Sequence, residues 1–378
     1  MHYKTITELA SLIKTQEVSP VEVTEDTLRR IEDLDPRYKS YATVMAEHAM
    51  KAAKRAEKEI THGNYKGLLH GVPIAVKDLC FTAGVKTMGG SKVMADYVPA
   101  FDSTVVARLE AQGGVLLGKL NLTEGAMGGY SQGFDVPLNP WNKDRWAGAS
   151  SSGSAVSTAL GLCYGSLGSD TGGSIRFPAA ACGTVGLKPT WGRVSRYGII
   201  PLAESLDHVG PLTRSSADAA IMLMVIAGLD PKDSTTLPNS VPDILEDIEK
   251  GVEGIRIGVD ESYITDGVDS QLSGAVLDGI KLLEGLGAEI VEINMPGLDR
   301  YMSFWRTICT VEAVAAHAKY YPSRRDEYGP YFREWLDIGA KITAIDYVEA
   351  NNKRNECNGL LRVVLQDIDI LACPSTIG

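Results

Sequence analysis

The segment GASSSGSAVSTALGLCYGSLGSDTGGSIRFP, residues 148–178, carries the strongest structural signal in the chain. A run of serine and glycine leads into a helix of small residues, Ser154–Leu160, and then into an apolar strand, Cys163–Leu167. The polar turn Asp-Thr-Gly-Gly-Ser, residues 170–174, follows that strand. In α/β sheets, the loops at the carboxyl ends of strands are where ligands bind. The segment therefore predicts a helix–strand unit with a candidate site at the end of the strand.

Helices and strands alternate on both sides of this segment. Upstream, Gly71–Asp78 is a short apolar run that predicts a buried strand ending in a lysine. The other alternating segments are helix Ser103–Gln112, strand Gly114–Gly118, strand Ile255–Val259, helix Leu272–Leu286 and strand Glu289–Ile293. This alternation predicts an α/β fold with a single large domain, in which helices flank a mixed, mostly parallel central β-sheet.

The first 65 residues are predicted to be helical. Capping boxes begin at Thr5 and at Ser19, and Ala46–Ile60 is an alanine-rich, charged third helix. We expect these helices to pack on the core or on a partner subunit. The best candidate for a domain boundary is Leu229–Gly254, which is rich in proline and acidic residues. We interpret it as a surface connection within one domain that spans residues 1–378.

Composition excludes several classes of protein. Acidic residues outnumber basic ones by 48 to 37, which gives a formal net charge of −11. This balance argues against broad binding to nucleic acid or to anionic membranes. The apolar run Ala219–Leu229 is shorter than the roughly 20 residues that cross a bilayer, and Ser215 before it predicts a helix N-cap. Met1–Thr5 lacks the apolar core of a signal peptide.

Cysteine and histidine are scattered along the chain. The six cysteines show no CxxC spacing, which disfavours zinc sites and disulfide frameworks and favours a reducing cytoplasm. The sequence contains no HExxH motif and no His/Cys cluster. A metal hydrolase is therefore disfavoured, and we expect no metal and no cofactor.

The serine- and glycine-rich segments allow three interpretations. A flexible linker would have this composition, but the direct continuation into an apolar helix and strand argues against it. A phosphate loop is disfavoured because neither GxxxxGK[ST] nor GxGxxG is present in the required context. The third interpretation is a nucleophilic serine. Glycines before Ser174 would let the backbone turn sharply and direct successive N–H groups toward a developing oxyanion.

A serine nucleophile needs a base, and the residues leave two candidates. His208 would have to reach the site from a distant part of the sequence. Lys77 closes an apolar strand, where burial would lower its pKa toward neutrality. The structural alternative for Lys77 is an ion pair with Asp78 or another acid. A buried lysine is also the residue expected in a Schiff-base enzyme.

The residues resemble those of the amidase signature family. The similarity extends over two long motifs in the same order, 71–78 and 148–190, and continues through 192–198 and 205–214. It covers roughly residues 5–230 and implies the fold of that family. Residues 148–153, Gly-Ala-Ser-Ser-Ser-Gly, depart from the Gly-Gly-Ser-Ser-Gly-Gly common in the family.

The resemblance implies a Ser–Ser–Lys triad. Matched by motif, Ser174 is the nucleophile, Ser150 is the bridging serine preceded by a cis peptide bond, and Lys77 is the base. It also implies that a serine-dependent amidohydrolase cleaves carboxylic amides through an acyl-enzyme. The oxyanion donors would be the backbone N–H groups of Thr171, Gly172, Gly173 and Ser174. Around them, substrate contacts are expected from Met127, Ser151 and Arg176, and supporting hydrogen bonds from Asp170 and Ser152.

The resemblance does not decide which amide the protein would cleave. We favour a free hydrolase of a small or aryl amide. The alternative is the glutaminase (A) subunit of the glutamyl-tRNA(Gln) amidotransferase, because Lys188–Gly198 is similar to that protein. A Schiff-base lysine enzyme and a non-catalytic binding module remain from other classes. We expect a small-molecule amide as substrate, and either a homodimer or, for the transferase, a partner subunit. Because family members usually run further, we also expect a closing C-terminal segment to be lacking.

Overall fold

The computed structural model describes all residues from Met1 to Gly378. Two compact units are present: residues 1–245 with 312–337 form the first, and residues 246–311 with 338–378 form the second. The chain passes between the units three times, so they are not successive domains joined by one linker. The first passage falls within the proline-rich stretch 229–254 that the sequence marked as a candidate boundary.

Twelve α-helices and nine β-strands alternate along the chain. The helices are α1 (Ile6–Lys14), α2 (Pro20–Tyr38), α3 (Ala46–Thr61), α4 (Thr104–Ala111), α5 (Ser152–Ala159), α6 (Arg176–Cys182), α7 (Ser216–Ile226), α8 (Glu261–Thr265), α9 (Ser270–Gly285), α10 (Asp299–Ala316), α11 (Pro330–Gly339) and α12 (Ala344–Val364). The strands are β1 (Tyr41–Val44), β2 (Pro73–Lys77), β3 (Val115–Leu120), β4 (Gly165–Asp170), β5 (Val185–Gly186), β6 (His208–Thr213), β7 (Arg256–Val259), β8 (Glu289–Glu292) and β9 (Ile370–Leu371).

The first unit is built on a six-stranded sheet with the order β1-β3-β2-β4-β6-β5. Its centre is parallel, because β2 pairs in parallel with both β3 and β4, and the outer pairings are antiparallel. Every residue of β2, β3 and β4 is buried. Strands covered on both faces tolerate continuous apolar runs, which explains the lack of alternation in their sequences.

The N-terminal helices of the first unit pack on this sheet. The capping boxes predicted at Thr5 and Ser19 are both formed. Alanines of α3, including Ala49 and Ala53, lie in one core cluster with Ala75 of β2 and residues of β3. Small side chains on α3 let the helix approach the sheet closely, and this packing positions the strand that ends in Lys77.

The second unit has a three-stranded parallel sheet in the order β8-β7-β9. Its helices include α9, which Asp269 caps by accepting hydrogen bonds from Gln271 N and Leu272 N. Across the two sheets, four of the seven pairings are parallel. The predicted α/β fold, with a mixed and mostly parallel sheet flanked by helices, is confirmed.

Most element bounds agree with the sequence-based expectations to within a few residues, with two differences. The prediction that the first 65 residues are helical is wrong at β1, Tyr41–Val44, which forms a strand because it pairs antiparallel with the distant β3. The second difference concerns β4. The strand predicted at Cys163–Leu167 instead begins at Gly165 and continues to Asp170. The extension is polar, but it pairs antiparallel with β6 as far as Asp170 opposite His208. Ladder hydrogen bonds therefore carry the strand past its apolar residues, up to the turn that holds the candidate site.

Candidate active site

Three elements bring the candidate residues to one edge of the first unit's sheet. Lys77 is the last residue of β2, and the turn containing Ser174 follows the neighbouring strand β4. These two strands are parallel neighbours, so their carboxyl ends meet at the same edge. Ser150 lies just before α5, and the backbone N–H of Ser151 donates to the carbonyl of Ser174 at 3.3 Å. This hydrogen bond joins the start of α5 directly to the turn after β4.

Lys77 is completely buried and surrounded by hydroxyl groups. Its Nζ donates hydrogen bonds to Ser150 Oγ at 2.6 Å, Ser151 Oγ at 2.9 Å and Ser169 Oγ at 2.9 Å. Burial lowers the pKa of Lys77 to about 7, although the charges of Asp170 and Asp207 oppose the shift. An amine with this pKa is substantially neutral near pH 7 and can accept a proton.

The ion pair between Lys77 and Asp78 that would have given Lys77 a purely structural role is not formed. Asp78 Oδ1 instead lies 3.1 Å from Nζ of Lys119 on β3, and both side chains are buried. The Lys119 ammonium also donates to Thr87 Oγ1 at 2.8 Å. The acid next to Lys77 in sequence is therefore used by a second lysine, which leaves Lys77 among neutral partners.

Ser150 is buried, and the Ala149–Ser150 peptide bond is cis, as the family resemblance implies. Gly148 before it has φ +84°, and a Cβ there would meet Pro178 Cα at 2.6 Å. Glycine is therefore required at 148, whereas the alanine at 149 is accommodated. Thr123 N–H donates to the Ser150 carbonyl at 3.4 Å and fixes the loop from the other side.

Ser174 is partly exposed, in contrast to Lys77 and Ser150. Its hydroxyl makes no hydrogen bond within the chain, and its carbonyl accepts from Ser151 N–H. The structure thus places Lys77 and Ser150 in direct contact and connects Ser174 to them through the backbone. A nucleophile at the surface of a buried network can be reached by a substrate carbonyl.

Asp170 shapes the turn that carries Ser174. Its carboxylate accepts from Gly173 N at 2.8 Å and Ile175 N at 3.1 Å, and it forms an ion pair with Arg176. Burial alone would raise the pKa of Asp170, but the Arg176 guanidinium and these backbone N–H groups hold the pKa below its ordinary value. The carboxylate therefore stays ionised and stabilises the turn.

The backbone N–H groups of the turn fall into two sets. Those of Thr171, Gly172 and Ser174 make no hydrogen bond within the chain. The N–H of Gly173 already donates to Asp170 Oδ1 at 2.8 Å, so of the four expected oxyanion donors it is the one that has a partner within the chain. The buried Asp170 carboxylate is the acceptor that holds this N–H, and the φ of +126° at Gly173 is a backbone conformation that favours glycine at this position.

The expected substrate-contact residues lie in different surroundings. Ser151 is fully buried and donates to the Ser169 carbonyl at 3.1 Å, a placement that favours orienting Lys77. Arg176 is half exposed and paired with Asp170. Met127 is partly exposed and directly follows the 3-10 turn Glu124–Ala126. The residue before that turn, Thr123, donates its backbone N–H to the Ser150 carbonyl. Ser152 is buried and accepts a hydrogen bond of 2.8 Å from the Tyr130 hydroxyl.

Sequence reasoning missed Ser169 and the role of Asp207. Ser169 lies on β4 and contacts Lys77 directly, and its signal was a polar residue at the end of a buried strand. Asp207 accepts hydrogen bonds from Thr171 Oγ1 at 2.5 Å and from Leu202 N at 2.8 Å. Burial raises the pKa of Asp207 to about 6 against these hydrogen bonds.

His208, the other candidate base, lies in a different network. Its Nε2 is 3.1 Å from Lys188 Nζ, and its Nδ1 is 2.7 Å from the Leu206 carbonyl. Burial and then the charge of Lys188 lower the pKa of His208. Both ring nitrogens thus have partners other than the candidate serines. No group of three or more His, Cys, Asp and Glu side chains in the chain is placed to hold a metal ion.

Comparisons with known proteins identify the family of this chain. The Amidase family model matches residues 22–378. AmiD of Mycobacterium tuberculosis, named a putative amidase, is 49% identical over 370 residues, which are 98% of this chain and 78% of AmiD. The A subunit of the glutamyl-tRNA(Gln) amidotransferase of Persephonella marina is 45% identical over 319 residues, 84% of this chain and 66% of the longer protein.

Similarity to solved structures also points to the amidase signature family. A bacterial aryl acylamidase of the amidase signature family superposes with a TM-score of 0.88 at 27% identity, covering 98% of this chain and 79% of the acylamidase. None of the helices combines the length and the apolar composition needed to cross a membrane. The chain belongs to the amidase signature family and is an amidase, a hydrolase that acts on amide C–N bonds.

Proposed function

We propose that this amidase cleaves a carboxylic amide through an acyl-enzyme on Ser174, with Ser150 and Lys77 as the proton relay. The observation that carries the proposal is the completely buried Lys77 amine, 2.6 Å from Ser150 Oγ and hydrogen-bonded only to hydroxyl groups. A buried amine without a carboxylate partner is suited to accept a proton near neutral pH.

The hydrogen bonds around Lys77 indicate that the lone pair of its neutral amine faces Ser150. A neutral amine has two N–H donors and one lone pair. The hydroxyl proton of Ser151 is used for the Ser169 carbonyl, so Ser151 can only accept from Lys77. If Ser169 Oγ accepts the second N–H, the lone pair is left for the hydroxyl proton of Ser150. Ser150 is then the group that Lys77 deprotonates.

The reaction follows from this arrangement. Lys77 takes the proton of Ser150, Ser150 takes the proton of Ser174, and Ser174 Oγ attacks the amide carbonyl. The free N–H groups of Thr171, Gly172 and Ser174 stabilise the oxyanion. The C–N bond breaks as the proton returns through Ser150 to the leaving amine. Water then attacks the ester while its proton passes through Ser150 to Lys77, and this proton returns through Ser150 to Ser174 Oγ as the ester C–O bond breaks and the acid is released.

A fluorophosphonate probe tests the nucleophile. We expect the probe to add to the wild-type chain at Ser174, as located by peptide mass spectrometry, and not to add to Ser174→Ala. The alanine variant should retain the fold, because replacing a partly exposed hydroxyl that has no hydrogen bond within the chain costs little stability. Amide turnover by Ser174→Ala at the wild-type rate would refute the proposal. Trapping of Lys77 by borohydride with a carbonyl substrate would instead favour a Schiff-base enzyme.

A second function is supported by one observation, the 45% identity to the A subunit of the amidotransferase. In that case the acyl donor would be glutamine and the released ammonia would pass to a partner protein. Ammonia release from glutamine only after addition of the other components of a bacterial amidotransferase would favour it. Hydrolysis of simple amides by the purified chain alone would favour a free amidase.

A further inference from the structure

Two aromatic side chains that pack on each other lie close in sequence to the two serines of the proposed triad. Trp146 lies four residues before Ser150, and Phe177 lies three residues after Ser174. Their ring centroids are 5.4 Å apart, and the rings meet edge to face at 83°. This is a favourable geometry for an aromatic pair, so the two rings hold each other in place.

Phe177 is placed beside Ser174 by the backbone. The N–H of Phe177 donates to the carbonyl of Gly173 at 2.7 Å, which closes a helical turn over residues 173–177. Residues three apart on such a turn lie on the same face, with Cβ atoms roughly 5–6 Å apart. The Phe177 side chain therefore leaves the backbone close to Ser174, and a Cβ at Gly173 would lie 3.9 Å from the Phe177 Cβ.

Trp146 is held by the loop that leads to Ser150. Its carbonyl accepts from Asn139 Nδ2 at 3.0 Å, and the same amide donates to the Ala181 carbonyl at 2.9 Å. The indole also lies beside the Tyr130 hydroxyl, which donates to Ser152 Oγ. Even so, 50% of Trp146 is exposed, an unusual amount for an indole fixed on several sides.

We propose that Trp146 and Phe177 form an aromatic wall on which a planar, uncharged ring of the amide substrate packs. The inference rests on the proposed function and assigns it a substrate class, amides that carry an aromatic ring. A half-exposed indole that packs on Phe177 can make dispersion and edge-to-face contacts with a substrate ring, and it offers nothing comparable to a short aliphatic amide. The two rings carry no charge that could bind the ends of a free amino acid such as glutamine, and the neighbouring Arg176 guanidinium is paired with Asp170.

The test compares kcat/KM for propionamide, benzamide and acetanilide in wild type and Trp146→Ala. We expect the variant to lose about tenfold in kcat/KM on a ring-bearing amide, which corresponds to about 1.4 kcal/mol, and to keep its rate on propionamide. Loss on benzamide alone places the ring on the acyl side, and loss on acetanilide alone places it on the leaving amine. Trp146→Phe should restore most of the preference.

Trp141→Ala is the matched control, because it removes another exposed indole from the same loop. Trp141 Nε1 donates to the Cys182 carbonyl, at the opposite end of α6 from Ser174. We expect this variant to leave the ratio of benzamide to propionamide turnover unchanged. Equal losses of kcat/KM on all three amides in Trp146→Ala would overturn the aromatic wall and leave the proposed function standing. A preference of wild type for glutamine would do the same. Absence of amide turnover and of fluorophosphonate labelling in wild type would overturn the proposed function, and the wall with it.

Discussion

Thr171 Oγ1 donates a hydrogen bond of 2.5 Å to Asp207 Oδ1, and the other oxygen of the same carboxylate accepts from the backbone N–H groups of Leu202 and Ala203. Asp207 thereby fixes Thr171, one of the three turn residues whose free N–H groups are the proposed oxyanion donors. Asp170 fixes the same turn at Gly173 and Ile175. Two carboxylates, from different parts of the chain, thus determine where those donors point.

Thr171→Val should lower kcat about tenfold with little change in KM, because a misplaced oxyanion donor weakens binding of the transition state more than binding of the substrate. Thr171→Ser keeps the hydroxyl and should retain most of the activity. In a double-mutant cycle with Asp207→Asn, the second substitution should add little to the first. Fully additive losses in kcat would show that the two residues act separately.

The activity should depend on pH through Lys77. Its pKa is lowered by burial to about 7, and the neutral amine is the active form. We therefore expect kcat/KM to rise with pH through about 7 and to level off above it. Initial rates on one amide between pH 5 and 9 measure this profile. A flat profile would exclude a titrating lysine base, and Lys77→Ala should lower kcat by about a thousandfold or more.

Ser169→Ala tests the orientation of the Lys77 amine. The substitution removes one of the three hydroxyl acceptors of Nζ. Because these acceptors stabilise the charged ammonium, we expect the midpoint of the pH profile to move to lower pH, while the plateau falls about tenfold. Ser166→Ala is a suitable control, since Ser166 lies on the same strand and bonds Thr158 and Ser154 instead. An unchanged midpoint would assign Ser169 a role in packing only.

Asp170→Asn should lower both stability and kcat. The carboxylate accepts from the N–H groups of Gly173 and Ile175 and from the Arg176 guanidinium, and an amide would present an NH2 group to some of these donors. The loss of a buried, charged acceptor costs roughly 1–3 kcal/mol. The melting temperature and kcat measure the two effects. Asp135→Asn, which removes an exposed partner of Lys39, should leave both unchanged.

The sequence predicted the fold class and the burial of Lys77 because the signals for both are local. The alternation of elements and the capping residues Thr5 and Ser19 act within a few residues of themselves. The position of Lys77 at the end of an apolar strand likewise predicted its burial. The assignment of Ser150 and Ser174 came from the resemblance to a known family rather than from spacing.

The remaining features depend on contacts between distant residues. The Asp78–Lys119 pair joins two strands, and its formation removes the acid that the sequence places beside Lys77. The bond from Thr171 to Asp207 spans 36 residues. The partner of the Gly173 N–H is set by the path of the turn around the Asp170 carboxylate, which composition cannot specify. Such features require knowledge of the register of the sheet and of the path of each loop.

The three passages of the chain between its two compact units have a practical consequence for making fragments of this enzyme. The first unit needs residues 312–337, and the second needs both 246–311 and 338–378. A truncation from the N-terminus therefore removes part of the first unit, and a truncation from the C-terminus removes part of the second. In each case the remaining unit is still interrupted by a segment of the truncated one. An isolated version of the unit that carries Lys77, Ser150 and Ser174 would require an internal deletion of 246–311, bridged by a designed peptide, in addition to removal of 338–378.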